Sequence, residues 1–273
     1  MAFFSYLTFL RTQWKTCNQY SLKMDCDMMN LLSLPLVLQL LVVVSSDWDA
    51  MEGTLYRYER SPSSALQWEL SVPPIAVTLG KEGMAWGRGL LDLSDEVGLV
   101  KKEGDGRAPA GLFALGTAFG DASHRRYAQR MPYLPITADL EYVDDPNSVY
   151  YNQFVTARSA KRRDWTSSEK MEEIGSIYAL GLVVRHNLDP IEVGMGSAIF
   201  MHIWRGKGRP TAGCTAMDER DLNEIVSWLD IESRPCLVQL PLDEYRSKQF
   251  AWGLPELPYV TCWNKEESLS SNS

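Results

Sequence analysis

No stretch of the 273 residues is apolar for long enough to cross a bilayer as a helix, which takes roughly 20 residues. The sequence therefore offers no integral membrane span. Cysteine is sparse: Cys17, Cys26, Cys214, Cys236 and Cys262 are odd in number, widely spaced and without a Cys-x-x-Cys pair. That pattern excludes a disulfide-stapled scaffold and a zinc ribbon, and it leaves at least one thiol unpaired within the chain. Positive charge is in deficit, with 27 basic residues against 35 acidic ones and a formal net charge of −8. A general polyanion binder needs the opposite balance, so no nucleic-acid partner is expected. Histidine occurs at only three positions, and the spacings from His186 to His202 and from His202 to Cys214 match no metal-ligand pattern. No metal and no cofactor are expected. Internal repeats and long linkers are missing as well.

What is present reads as a folded domain. Hydrophobic residues at 45% and charged ones at 23% are globular proportions, and 19 Gly with 14 Pro favour a loop-rich β fold over a helical bundle. Residues 36–260 form the expected domain, mainly β with a few helices. Residues 1–35 are an N-terminal extension or export signal outside it, and residues 261–273 a polar tail. The uncharged stretch Met28–Ser46 supports two readings. One is a secretory hydrophobic region with Ser45-Ser46 near its cleavage site, although Asp25 and Asp27 stand where basic residues belong. The other is a buried first strand, favoured by Val42-Val43-Val44 and ended by Asp47-Trp48-Asp49. The two overlap without conflict if a signal ends near Pro35.

Alternation with period two predicts strands over Gln67–Val72 and Ile75–Leu79, the latter joined to Met84-Ala85-Trp86 by a hairpin at Gly80–Gly83. Gly104–Gly120 reads as strand and turn, Asp144–Ser148 as a loop, and Leu182–Val184 and Ala198–Trp204 as strands. Asp218 is a good N-cap for an amphipathic helix carrying Leu222, Ile225, Val226 and Leu229, stopped by Arg234-Pro235. A second helix is expected at Ser167–Glu173.

Ala198–Trp204 carries the chemistry. Alternation puts Ile199, Met201 and Ile203 on one face and Phe200, His202 and Trp204 on the other. A basic loop with Arg205, Lys207 and Arg209 follows and leads into Thr211-Ala212-Gly213-Cys214. A free thiol is only slightly ionised at neutral pH, so a nucleophilic Cys214 needs a base such as His202 or a positive field. Gly213 lets the N–H groups of residues 213 and 214 approach an oxyanion, and Arg205 or Arg209 suits a substrate carboxylate. Residue by residue, each has a plainer reading: Cys214 a small buried hydrophobe, His202 and His186 core histidines, the basic loop a solvated one.

Read whole, Ile199–Met217 resembles the signature of the YkuD-type L,D-transpeptidase catalytic domain, a strand histidine followed by Ser/Thr-x-Gly-Cys. Here it stands as His202 and Thr211-Ala212-Gly213-Cys214. Gly104–Phe113, Asp145-Pro146-Asn147-Ser148 with Tyr151-Asn152, and Gly196–Phe200 extend the similarity. The resemblance implies a β-sandwich-like fold with the cysteine in a cleft. It implies acyl transfer on peptidoglycan stem peptides, donor and acceptor, in the cell envelope, periplasmic or exported. Cys214 is then the nucleophile and His202 the acid and base, with a thioester resolved by an amine into a cross-link or by water as a carboxypeptidase. A catalytically silent envelope-binding domain is the reading from another class. Substrate contacts fall to Trp204, Arg205, Arg209, Thr211, Tyr151 and Asn152. The pattern departs at Thr215-Ala216, where many members have a hydrophobic residue and an arginine, and at Trp204, where small residues are common.

Overall fold

Seven consecutive residues, Gln39–Ser45, are buried on both faces, which explains why Leu40–Val44 carries no polar alternation. They form strand β1 of a computed structural model that describes residues 37–61, 67–156 and 158–258. β1 runs parallel to β14 (Cys236–Pro241) and antiparallel to β2 (Glu52–Glu59). β1 is the strand that the strand reading of Val42–Val44 expects. Residues 1–36 and 259–273, with Cys17, Cys26, Cys262 and the whole of the expected extension and tail, lie outside the described residues.

Between β2 and β14 come β3 (Glu69–Leu70), β4 (Ile75–Thr78), β5 (Met84–Trp86), β6 (Ala108–Gly120), β7 (Tyr133–Pro135) and β8 (Glu141–Val143). β9 (Gln153–Val155), β10 (Ser168–Lys170), β11 (Leu180–Val184), β12 (Phe200–Ile203) and β13 (Thr215–Met217) follow. Pairing joins β1, β14, β6, β11, β12, β13, β4 and β2 in that order, and the β2–β1 ladder closes the circuit. The fold is mainly β and forms one domain, as expected, and its sandwich-like sheet closes into a barrel-like ring. Closure satisfies edges that would otherwise stay unpaired.

Two α-helices accompany the ring among the described residues. α1 (Glu219–Trp228) starts where expected, with the Asp218 carboxylate accepting from the Arg220 N–H at 2.9 Å. Its Leu222, Ile225 and Val226 enter the main core. α2 (Leu242–Trp252) packs against β1 and β14 and has no readable stripe: Tyr245 and Trp252 are buried while Phe250 is 88% exposed.

Two further expectations change. Ser167–Glu173 is no helix, because Ser168–Lys170 pairs with β8 in register Ser168 to Val143 and Glu169 to Tyr142. Of Gln67–Val72, only Glu69 and Leu70 pair, and Leu70 is exposed. The three-stranded sheet β10-β8-β9 forms an outer layer over β11 and β12. Edge-to-face aromatics bind it there: Phe200 lies 4.9 Å from Phe119, 5.0 Å from Tyr142 and 5.7 Å from Tyr178, between ring centres.

Candidate active site

Strand β12 alternates as its sequence dictates. Ile199, Met201 and Ile203 join the main core, while Phe200 enters the outer cluster with Tyr142, Tyr178 and Cys214. β12 and β13 run parallel, His202 facing Ala216 and Met201 facing Thr215. One step earlier, position 214 faces position 200, on the same outer side as His202. Strand spacing and rise then put the α-carbons of Cys214 and His202 about 8 Å apart, on adjacent strands and one face.

The sulfur is held by backbone. Cys214 donates its S–H to the Ala198 carbonyl at 3.3 Å, and Sγ accepts from the Phe200 N–H at 3.3 Å. His202 makes no hydrogen bond to it. Instead Nδ1 lies 2.8 Å from the Ile203 carbonyl. A carbonyl only accepts, so Nδ1 carries the proton and Nε2 keeps its lone pair. Burial pushes the thiol up to about 12, helped by the Glu169 charge. Burial lowers His202 to about 4, and Arg205 adds to the shift. Both groups are therefore neutral at rest. The open cleft expected over Cys214 is closed: the residue is only 7% exposed beneath the outer layer.

The turn that presents Cys214 is fastened by Thr211. Its hydroxyl donates to the Cys214 carbonyl at 2.6 Å and accepts from the Gly213 N–H at 3.1 Å. Thr211 is itself anchored to the turn after β4, its N–H donating to the Leu79 carbonyl and its carbonyl accepting from the Lys81 N–H; β5 pairs with β6, so the expected hairpin to β4 does not form. The hydroxyl thus fastens the turn and occupies the Gly213 N–H, while the Cys214 N–H has no partner among the described residues. Gly213 sits at φ +151°, where a Cβ would come within 2.9 Å of the Arg107 carbonyl. Thr211→Val should lower stability by about 1–3 kcal/mol, because it orphans both partners, while Thr211→Ser should retain it. Urea denaturation of the two variants checks this.

Tyr151 and Asn152 also serve the framework. Tyr151 is buried and donates to Glu103, which accepts from Ser197 as well. Asn152 is fully committed. Its Nδ2 donates to the His186 and Asn187 carbonyls, and its Oδ1 accepts from the Tyr142 hydroxyl and from the Ala198 N–H. Asn152 thereby sets Ala198, at φ +54°, whose carbonyl holds the thiol. Arg205 and Arg209 are exposed and form no ion pair among the described residues, and Trp204 is half-buried. Of these, only Arg205 acts on His202 electrostatically.

His186 belongs to the core. Nδ1 accepts from the Arg88 N–H at 3.2 Å and Nε2 donates to the Met195 carbonyl at 2.9 Å, so neither nitrogen is free for a metal. Burial lowers it to about 3. Sequence reading missed Glu169 and Tyr178. The Tyr178 hydroxyl donates to Glu169 at 2.6 Å, and its ring stands edge-on to His202 at 5.3 Å. Burial raises the Glu169 carboxyl to about 7. Three groups therefore link folding to pH. Between about pH 6.5 and 4.5 the unfolded state protonates His186 and His202, while the folded state protonates Glu169. The difference is one proton, so stability should fall on acidification by about 1.4 kcal/mol per pH unit. Denaturant midpoints at pH 6.5 and 5 test the sign; a rise in stability at the lower pH contradicts it.

A covered thiol and a lone-pair imidazole lie on the outer wall of a closed β ring. Residues 63–238 match the family model YkuD, the L,D-transpeptidase catalytic domain, and the chain belongs to that family. No curated protein matches the chain. Family membership supports a peptidoglycan L,D-transpeptidase-type function and a cell-envelope setting. Among the described residues, no helix is long and apolar enough to cross a membrane.

Proposed function

We propose that the chain transfers acyl groups between peptidoglycan stem peptides through a thioester on Cys214, with His202 as acid and base. The observation that carries this reading is the His202 tautomer: Nδ1–H is tied to the Ile203 carbonyl, so Nε2 is the basic atom on the face that bears Cys214. With both groups neutral at rest, proton transfer accompanies attack. Sγ bonds to the carbonyl carbon of the third residue of the donor stem, and the thiol proton moves to Nε2. The tetrahedral oxyanion faces the Cys214 N–H. Collapse breaks the C–N bond, the departing D-alanine takes the proton from His202, and the thioester remains. An amine of a second stem then forms the cross-link, or water forms the tripeptide. Donor access requires the side chains that cover Cys214 to part.

Incubation with a stem tetrapeptide tests the reading. Released D-alanine with a tripeptide or cross-linked product supports it, and the ratio of those products separates hydrolase from transferase. Absence of D-alanine release overturns it and favours a silent binding domain.

A further inference from the structure

Glu169 is an acidic side chain whose charge reaches the thiol and which no step above uses. It lies on β10, facing Tyr142 across the β8 ladder, and keeps part of its surface accessible. One carboxylate oxygen accepts from Tyr178 at 2.6 Å; the other has no hydrogen-bond partner among the described residues. It borders the aromatic cluster that holds the sulfur. Tyr178 touches both Phe200 and His202, Tyr142 touches Phe200, and the Phe200 N–H donates to Sγ. Cys214, Tyr142 and Tyr178 each feel the Glu169 charge, and both tyrosines also feel Cys214.

Proton counting shows what such a group is needed for. An alkylammonium acceptor enters with three N–H protons, and the amide it forms keeps one. Cleavage of the C–S bond returns one to sulfur, by way of His202. One proton is left over and must leave before the nitrogen can attack. Water leaves no such surplus on the nucleophile, because one proton goes to sulfur and the product acid ionises into solvent. His202 alone therefore suffices for hydrolysis, whereas transfer to an ammonium needs one further proton acceptor, a side chain or solvent.

We propose that Glu169 is a catalytic residue of the second half-reaction, binding the ammonium of an amine acceptor and taking its surplus proton. This rests on the thioester reading of Cys214. The carboxylate attracts the cation at the sulfur, accepts a proton from nitrogen, and the freed lone pair attacks the thioester carbonyl. The C–N bond forms, the C–S bond breaks, and Glu169 later loses its proton to solvent. The carboxyl is poised for this, since burial and the Asp144 and Glu103 charges raise it to about 7. Other charges in the same cluster are Arg205, which acts on Tyr178 and His202, Arg185, which acts on Tyr142, and Lys101, which acts on Cys214.

The test uses the full chain, a stem tetrapeptide donor, and two acceptors: a D-amino acid amide, and hydroxylamine, which is largely unprotonated at neutral pH. In Glu169→Gln, transfer to the D-amino acid amide should fall about a hundredfold relative to hydrolysis by the same variant, the range of a lost proton-transfer group. Transfer to hydroxylamine should be nearly unchanged, because that nucleophile carries no surplus proton. Glu169→Asp, which keeps a carboxylate, should recover part of the loss and guards against a folding defect in the Gln variant. Equal losses with both acceptors, or none with either, overturn the assignment. Failure of the unaltered protein to form a thioester instead overturns the function on which it rests.

Discussion

Cys214→Ser should abolish D-alanine release, by at least about four orders of magnitude, while leaving the barrel-like ring folded. The reason for the pairing of effects is local. A serine hydroxyl can still donate to the Ala198 carbonyl and accept from the Phe200 N–H, the two contacts that hold the sulfur. What it loses is nucleophilicity, since a buried hydroxyl is far harder to deprotonate than a thiol. Cys214→Ala should lose the same activity but also some stability, on the order of 1–3 kcal/mol, because the Phe200 N–H is left buried without an acceptor. Comparing the two by turnover and urea denaturation separates the chemical role of the sulfur from its packing role. Retained turnover in Cys214→Ser contradicts the assignment.

His202→Ala should slow thioester formation by about 10²–10⁴-fold, the usual worth of a positioned proton-transfer group. The pH profile carries the sharper information. An imidazolium cannot accept the thiol proton, so the rate of the unaltered protein falls as pH drops through the His202 value. Burial holds that value well below the ordinary 6.5. The acid limb should therefore lie below pH 6.5 and should vanish in His202→Ala, leaving a low and flatter profile. An acid limb that persists unchanged in the variant assigns the proton transfer to another group.

The site was legible where local pattern and final structure agree. Period two along Ala198–Trp204 separates Ile199, Met201 and Ile203 from Phe200 and His202, and the ring buries the first set in its core. α1 announced itself through Asp218 and an apolar stripe. β1 was readable as one of two alternatives because a strand covered on both faces and a secretory hydrophobic region have the same composition. Illegible features depend on partners remote in sequence. Glu169 lies in a polar segment whose three-residue strand exists only through pairing with β8, so no period marks it. Asn152 and Tyr151 were expected among the substrate contacts, and their hydrogen bonds run to residues 103, 142, 186, 187 and 198. A sequence cannot state whether such a residue faces substrate or framework. Thr211 was noticed for its hydroxyl, and its hydrogen bonds bind the turn to itself, a pattern that Ser/Thr-x-Gly-Cys spacing now explains.

The closed outer layer changes how activity should be sought. A small alkylating agent meets a thiol that is buried, neutral and hydrogen-bonded to backbone, so weak alkylation says little about catalysis. A reagent that is itself a strained acyl donor is the better probe. The most direct measurement is the intact mass of the protein after incubation with a carbapenem, followed by peptide mapping. One covalent adduct mapped to Cys214, slower to form in His202→Ala, is the expected result. An unmodified chain, or an adduct on Cys236 in place of Cys214, contradicts the account.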